Sequence, residues 1–306
     1  MNNRVIKIFL LSGLIFLILC LVIYITITSY KMYRSSSYIF LNDKYCGEKK
    51  CNYIPEKFMD EPNPTSFTRQ YQKNYAEFSL NIISYLEGLV DLPDGLEKIK
   101  DLTLVEEKLP LGVILSNKKR DILWITFRGS KKIFDWVKDF SISQKNIDKD
   151  TMIHSGFTYL YNEVKPQILD TIKDFDKSQN IVVSGHSLGG SIALITAVEL
   201  LKEDFNNVVV YTMASPRVGN KELADIVNEK MVHYRIVNDS DIIPTFPLAV
   251  VPNMDDYKNP YLYYHNGIEK PFNINASSIS SNHNTLVYYN GLSLIQEEIR
   301  KLQSIK

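Results

Sequence analysis

Short aliphatic and aromatic runs of four to six residues recur through the body of the chain. They alternate with segments whose apolar positions return every three or four residues. LGVILS (111–116) and ILWITF (122–127) are two such runs joined by NKKRD, and they predict a β-hairpin. IVVS (181–184), VVVYT (208–212), VHYRIV (232–237) and YLYY (261–264) predict further strands. Helical spacing appears at Tyr75, Phe78, Ile82 and Leu86, and again at Phe157, Leu160, Tyr161, Val164 and Ile168, where Pro166 should kink or interrupt the helix. A third helical run extends from Leu188 to about Glu203, and a last one carries Leu294, Ile295, Ile299 and Leu302. Strands that are apolar throughout, alternating with helices, predict an α/β fold with a mainly parallel central sheet and helices on both faces.

One apolar run differs in kind. From Ile8 to Tyr30 the chain carries no charge over 23 residues. As a helix this run would span about 34 Å, enough to cross a bilayer core. A cleaved secretory signal has a shorter apolar region, about 7–15 residues, and ends in small residues. Here the run ends in Tyr24, Ile25, Ile27 and Tyr30, so an uncleaved transmembrane signal-anchor is expected. Residues 1–7 are then a short tail, 8–30 the membrane segment, 31–66 a tether rich in turn formers, and 67–306 a single α/β domain. A strict count of Lys31, Arg34, Lys44, Lys49 and Lys50 against Arg4 and Lys7 would place the body in the cytosol. Cys46 and Cys51 read either as a small disulfide loop or as two reduced thiols; the disulfide reading favours a lumenal or extracellular body and a single-pass membrane protein. The sequons at Asn238 and Asn275 do not decide between the two orientations.

Composition narrows the function classes. Lys and Arg number 35 and so do Asp and Glu, with both signs spread along the chain, so the basic stripe of a nucleic-acid binder is absent. Three cysteines build no disulfide scaffold, and no Cys/His cluster has structural-zinc spacing.

The chemistry is concentrated at Gly185-His186-Ser187-Leu188-Gly189, a G-x-S-x-G between a predicted strand and a predicted helix. In that context the serine occupies a strained strand-to-helix turn, and the glycines remove side chains that would collide there. The N–H of Leu188 then points at a developing oxyanion. A phosphate loop would want Lys after the glycines, and Ser191 follows Gly190 instead. A serine nucleophile needs a base, and in this arrangement the order is Ser, then Asp or Glu, then His. Downstream of Ser187 lie only His233, His265 and His283. His233 falls within VHYRIV and reads as packed on the sheet; His265 directly follows YLYY. His283 sits in the polar loop NASSISSNHN before the last helix, from which an imidazole can reach the elbow, and is the expected base. Asp239 and Asp241, just past a strand end in VNDSDIIP, both qualify as the orienting acid.

Ile133, Trp136, Val137 and Phe140 fall at i, i+3, i+4 and i+7, with Lys132, Asp135, Lys138 and Asp139 between them. This predicts a short amphipathic helix, either packed on the sheet or acting as a lid over an apolar cleft.

Taken together, the chain resembles the class 3 lipase family over roughly residues 100–295. The motifs that carry the resemblance stand in order: ITFRGS (125–130), FDWVKDF (134–140), IHSGF (153–157), GHSLGGS (185–191), SPRVGN (215–220), DIIPTFP (241–247) and HNTLVYY (283–289). The resemblance implies an α/β-hydrolase fold and a serine hydrolase of carboxylic esters, with Ser187, Asp241 and His283 as the triad. It prefers Asp241 over Asp239, through DIIP, and His283 over His265, since YYHNGIE is similar to a family strand bearing a non-catalytic histidine. It implies Ser130 as the second oxyanion donor beside Leu188, and a lid at Ile133–Phe140. No metal or organic cofactor is implied. The expected partners are a lipid or ester substrate and, through 8–30, a membrane. A soluble or polysaccharide-linked ester, or an inactive domain that binds lipid or a partner, are the alternative readings.

Overall fold

The computed structural model describes residues 73–304 apart from 106–108, 118–120, 131–142 and 257. The expected anchor, the tether with its cysteine pair and the lid residues Ile133, Trp136, Val137 and Phe140 lie outside the described residues. Among the described residues no helix is long and apolar enough to cross a membrane.

Seven strands form the central sheet: β1 (Leu96–Leu102), β2 (Gly112–Asn117), β3 (Ile122–Phe127), β6 (Asn180–His186), β7 (Val208–Met213), β8 (Val232–Asn238) and β11 (Ile268–Phe272), in that spatial order. The β2–β3 hairpin is antiparallel with Gly112 opposite Phe127, and from β3 to β11 every pairing is parallel. Parallel neighbours need crossovers, and from β3 to β8 these are helical; the one from β8 to β11 carries no α-helix among its described residues. The crossover helices are α2 (Ser155–Ile172) before β6, α3 (Leu188–Lys202) before β7 and α4 (Lys221–Lys230) before β8. All three pack on one face of the sheet, around Phe157, Ile168, Ile192, Ala193 and Leu223. The other face is covered by α1 (Lys73–Leu86) and α6 (Thr285–Ser304), which enclose Trp124, Tyr211 and Ile236. Strands β3, β6 and β7 are buried at nearly every position because helices cover both sides, which is why their sequences do not alternate.

Three expectations change. Strand YLYY is reduced to β10 (Tyr261–Leu262), which pairs with β9 (Val250–Val251) in a small separate hairpin. The last strand of the main sheet is instead β11, where Pro271 is tolerated because the strand is at the edge. And α2 continues through Pro166 to Ile172. A second hairpin, β4 (Gln144–Asn146) with β5 (Met152–His154), precedes α2.

His154, His186 and His233 are buried within this frame and His265 is partly buried, all four as neutral rings. His154 accepts the N–H of Gly156 at Nδ1, 3.1 Å, and burial pushes its pKa down to about 4. His233 donates from Nδ1 to Asn266 Oδ1 (2.7 Å) and accepts the Thr212 hydroxyl at Nε2 (2.8 Å); burial lowers it to about 4. His265 donates to the Pro244 carbonyl at 2.8 Å, and burial, then Arg235 and Arg217, lower it to about 3. A depressed folded pKa means that the unfolded chain takes the proton first. The stability these rings contribute is therefore complete above pH 6.5 and is lost as pH falls from there towards 4. Each of the three is expected to cost about 3 kcal/mol by pH 4, from about 1.4 kcal/mol per pKa unit. Thermal melts at pH 8, 6, 5 and 4 should show the midpoint flat and then falling steeply; a flat profile to pH 4 would contradict neutral burial.

Candidate active site

Strand β6 ends at His186 and α3 begins at Leu188, which leaves Ser187 alone to make the turn. It does so at φ 58°, ψ −127°, a left-handed backbone that few L residues adopt. The strain is held by its neighbours: Ser187 N–H donates to Met213 O and Gly190 N–H donates to Ser187 O, both at 2.9 Å. The flanking glycines are required by contact. A Cβ at Gly185 would lie 2.2 Å from Gly189 O, and one at Gly189 would lie 2.4 Å from Arg128 O.

The end of β3 therefore abuts the start of α3. A Cβ on Gly129 would lie 3.2 Å from both Ser187 Cβ and His186 Nδ1, so the loop that carries Ser130 runs directly beside the serine. Arg128 fixes that loop: its Nε donates to Pro110 O (2.8 Å), Nη1 to Gly129 O (2.9 Å) and Nη2 to Leu109 O (3.3 Å). The FRGS motif was visible in the sequence, but the arginine's part was not, because all three acceptors are backbone carbonyls.

Of the two candidate acids, Asp239 is exposed and Asp241 is buried. Asp241 Oδ1 accepts the Ile243 N–H at 2.9 Å, and Oδ2 accepts both His283 Nδ1–H and the Tyr288 hydroxyl, each at 2.7 Å. The carboxylate thus accepts three hydrogen bonds, one at Oδ1 and two at Oδ2. Tyr288 in turn accepts the Asn238 N–H at 3.2 Å; burial, then the nearby Asp241, hold its phenol well above the usual range, so it serves as a donor.

His283 caps the one-turn helix α5 (Ile279–Asn282), and its carbonyl accepts His186 Nε2–H at 2.9 Å. The two rings lie 4.7 Å apart, which brings His283 against the residue that precedes Ser187. His186 is fully enclosed, and burial, then the charge His283 can carry, keep it neutral. Two asparagines stitch the acid loop to the base loop. Asn238 donates to Ile274 O and Asn282 O and accepts Ile274 N–H, while Asn282 donates to Ser240 O. Asn238 is fully buried, so it is unsuited to glycosylation in the folded chain despite its sequon. The roles of Asn238, Asn282 and Tyr288 come from contacts across more than 30 residues of chain and left no local signal.

Two buried polar atoms at this site have no hydrogen-bond partner, Ser187 Oγ and His283 Nε2. They are the two atoms a nucleophile–base pair would use. With Nδ1–H committed to Asp241, the unprotonated Nε2 is the acceptor a serine hydroxyl needs. His233 and His265 are held elsewhere by Asn266 and Pro244 and have no contact with the elbow.

The profile described as Lipase (class 3) matches residues 124–251, from β3 through the elbow to the loop beyond Asp241. Over that stretch the chain is similar to the class 3 lipase family. Among the family's curated relatives, a lipase of Rhizomucor miehei is 35% identical over 137 residues, covering 42% of this chain and 38% of that lipase. A secreted mono- and diacylglycerol lipase of Fusarium solani is 33% identical over 156 residues, 48% of this chain and 46% of its own length. The match thus spans less than half the length of these relatives. Among solved structures, the triacylglyceride lipase of Rhizomucor miehei superposes at TM-score 0.52 with 27% identity, over 64% of this chain and 77% of that one. A triacylglycerol lipase whose catalytic centre is a serine protease triad superposes at 0.53 with 28% identity, over the same shares. The chain has the α/β-hydrolase fold of those enzymes, with a mostly parallel central sheet and helices on both faces.

Proposed function

We propose that this chain is a serine hydrolase of carboxylic esters that acts on acylglycerol or phospholipid substrates through Ser187, His283 and Asp241. The observation that carries the reading is the 2.7 Å pair between His283 Nδ1 and Asp241, which leaves His283 Nε2 unpartnered beside a strained serine. His283 takes the proton from Ser187 Oγ as the oxygen attacks the ester carbonyl; Asp241 holds the imidazole in the required tautomer and stabilises the imidazolium. The N–H groups of Leu188 and Ser130 receive the tetrahedral oxyanion, one at the first residue of α3, the other on the Arg128-braced loop. His283 returns the proton to the leaving alcohol, and a water activated by the same ring then hydrolyses the acyl-serine. No step requires a metal or an organic cofactor.

The lipid reading draws on the family's named activities and on two sequence features outside the described residues. Ile133, Trp136, Val137 and Phe140 form the apolar side of a lid that follows Ser130. Residues 8–30 anchor the chain in a membrane, with 31–66 as tether and the hydrolase domain, 67–306, on the lumenal or extracellular side, in keeping with relatives named as secreted lipases.

A fluorophosphonate probe tests the chemistry. Wild-type protein is expected to be labelled at Ser187, seen by peptide mass, and Ser187→Ala is expected to remain unlabelled. Hydrolysis should then be followed across acyl-chain lengths, below and above each ester's solubility limit. A rate that jumps on emulsification supports a lipase; activity confined to dissolved short esters would make it an esterase, and absence of labelling would leave a binding domain.

A further inference from the structure

Eleven large apolar side chains are exposed among the described residues, and five of them fall within 17 residues of chain: Leu248, Val250, Met254, Leu262 and Tyr264, each 40–71% exposed. The β9–β10 hairpin explains the clustering. Val250 pairs with Leu262 and Val251 with Tyr261. Alternation along each strand puts Leu248, Val250, Leu262 and Tyr264 on one face, while Val251 and Tyr263 turn inward and are buried. The result is an apolar strip of four side chains, two in the strands and two flanking them, with Met254 beyond it on the connecting loop.

The strip lies on the connection that leads away from the candidate acid, between β8 and β11. The hairpin follows Asp241 in the chain, and Arg217, from the loop after β7, holds its approach by donating two hydrogen bonds: its backbone N–H to Phe246 O at 2.7 Å and Nη1 to Pro247 O at 2.8 Å. On the other side Gln144 Nε2 donates to Leu262 O (2.8 Å), and Tyr263 donates its hydroxyl to Ser143 O (3.3 Å). Arg217 follows the carboxyl end of β7, and Phe246 and Pro247 follow that of β8, the end of the sheet at which Ser187 and Asp241 lie; Ser143 and Gln144 stand at the start of β4.

We infer that the outer face of the β9–β10 hairpin is a lipid-contact surface, which seats the domain on an uncharged or zwitterionic lipid–water interface with the Ser187 end of the sheet towards the lipid. The inference rests on the ester-lipid reading above and adds to it a second contact element, separate from residues 133–140. Two observations choose this occupant. The five side chains present on the order of 500 Å², short of the roughly 800 Å² per partner of a stable protein interface, but an amphipathic strip needs no such area to rest in a headgroup layer. The loop between the strands carries Asp255, Asp256 and Lys258, a net charge of −1, which opposes an anionic surface and leaves a neutral one unopposed. The Asn259 side chain and the Lys258 N–H hold the Asp256 carboxyl below its usual range, so the charge persists.

The test places a reporter on the strip. Val250→Trp in the full chain is added to phosphatidylcholine vesicles with brominated acyl chains, and its emission is compared with wild type, which carries Trp124 and Trp136 as a common background. Quenching and a blue shift above that background are expected. Asp174→Trp, on the turn before β6 at the opposite end of the sheet, should show neither. Val250→Ser with Leu262→Ser should lower the rate on emulsified ester about tenfold, since two apolar contacts with the headgroup layer are lost. The same pair should leave the rate on a dissolved short ester within about twofold, because neither residue touches the triad.

An unquenched Val250→Trp would overturn the proposal. So would quenching that strengthens with the anionic lipid fraction, or a lipid-independent blue shift with a doubled solution mass, which would assign the strip to a second copy. Loss of Ser187-dependent hydrolysis of the dissolved ester in wild type would instead count against the enzymatic reading, whatever the vesicles show.

Discussion

Asparagine in place of Asp241 is expected to leave a folded protein whose kcat on any ester is lower by about 10⁴-fold, the loss seen when a triad carboxylate becomes an amide. The three donors around this side chain explain the size. Oδ1 faces the Ile243 N–H, and Oδ2 faces both His283 Nδ1–H and the Tyr288 hydroxyl. An amide can present only one oxygen. If that oxygen faces His283 and Tyr288, the NH₂ group meets the Ile243 N–H; if it faces Ile243, the NH₂ group meets His283 and draws the proton to Nε2, where the base function is lost. Thermal melts of wild type and variant, with kcat on a dissolved ester, check the claim. A loss under about tenfold would mean that His283 is not oriented through Asp241. Tyr288→Phe removes one donor of the three without altering the tautomer, so it should cost far less.

Gly185→Ala is expected to prevent the elbow from forming, with a destabilisation of more than about 4 kcal/mol that most small domains cannot sustain. The new methyl carbon would lie 2.2 Å from Gly189 O, 2.3 Å from Gly189 C and 2.7 Å from Gly190 N. These are backbone atoms, so no rotamer change relieves the overlap. Either β6 or the first turn of α3 must move, and α3 is already fixed on its other side because Gly189 abuts the Phe127 and Arg128 carbonyls. The expected readout is insoluble protein, or a melting temperature lowered by about 10 °C or more at the roughly 2–4 °C per kcal/mol typical of a domain of this size. A soluble variant with normal melting would show that the turn is looser than the contacts imply.

The central strands and the elbow were legible because they rest on local patterns. Strands β3, β6 and β7 are apolar at nearly every position, and G-x-S-x-G is a contiguous motif at a strand-to-helix boundary. Edge strands were not. LEKIKDL, which forms β1, alternates charge with aliphatics and has one exposed face, while IEKPF, which forms β11, contains a proline. Each is a strand by virtue of the neighbour it meets, Gly112–Asn117 in one case and Val232–Asn238 in the other. The site shows the same division. Ser187 and the pairing of Asp241 with His283 were reachable through order and motif, whereas Arg128, Asn238, Asn282 and Tyr288 act through bonds to distant backbone or to a side chain brought near only by folding. In VNDSDIIP the two aspartates are chemically equal; burial and the His283 contact separate them.

Strand β11 closes the sheet on its parallel side, with Pro271 in the row that a further strand would have to read. A proline there removes an amide donor from the open border, and Glu269 beside it is paired with Arg235. An incoming chain would meet a broken ladder and a fixed ion pair, and strand-by-strand polymerisation has no starting register on this side. Crowding many copies together, as on a shared two-dimensional surface, should therefore leave this border unjoined.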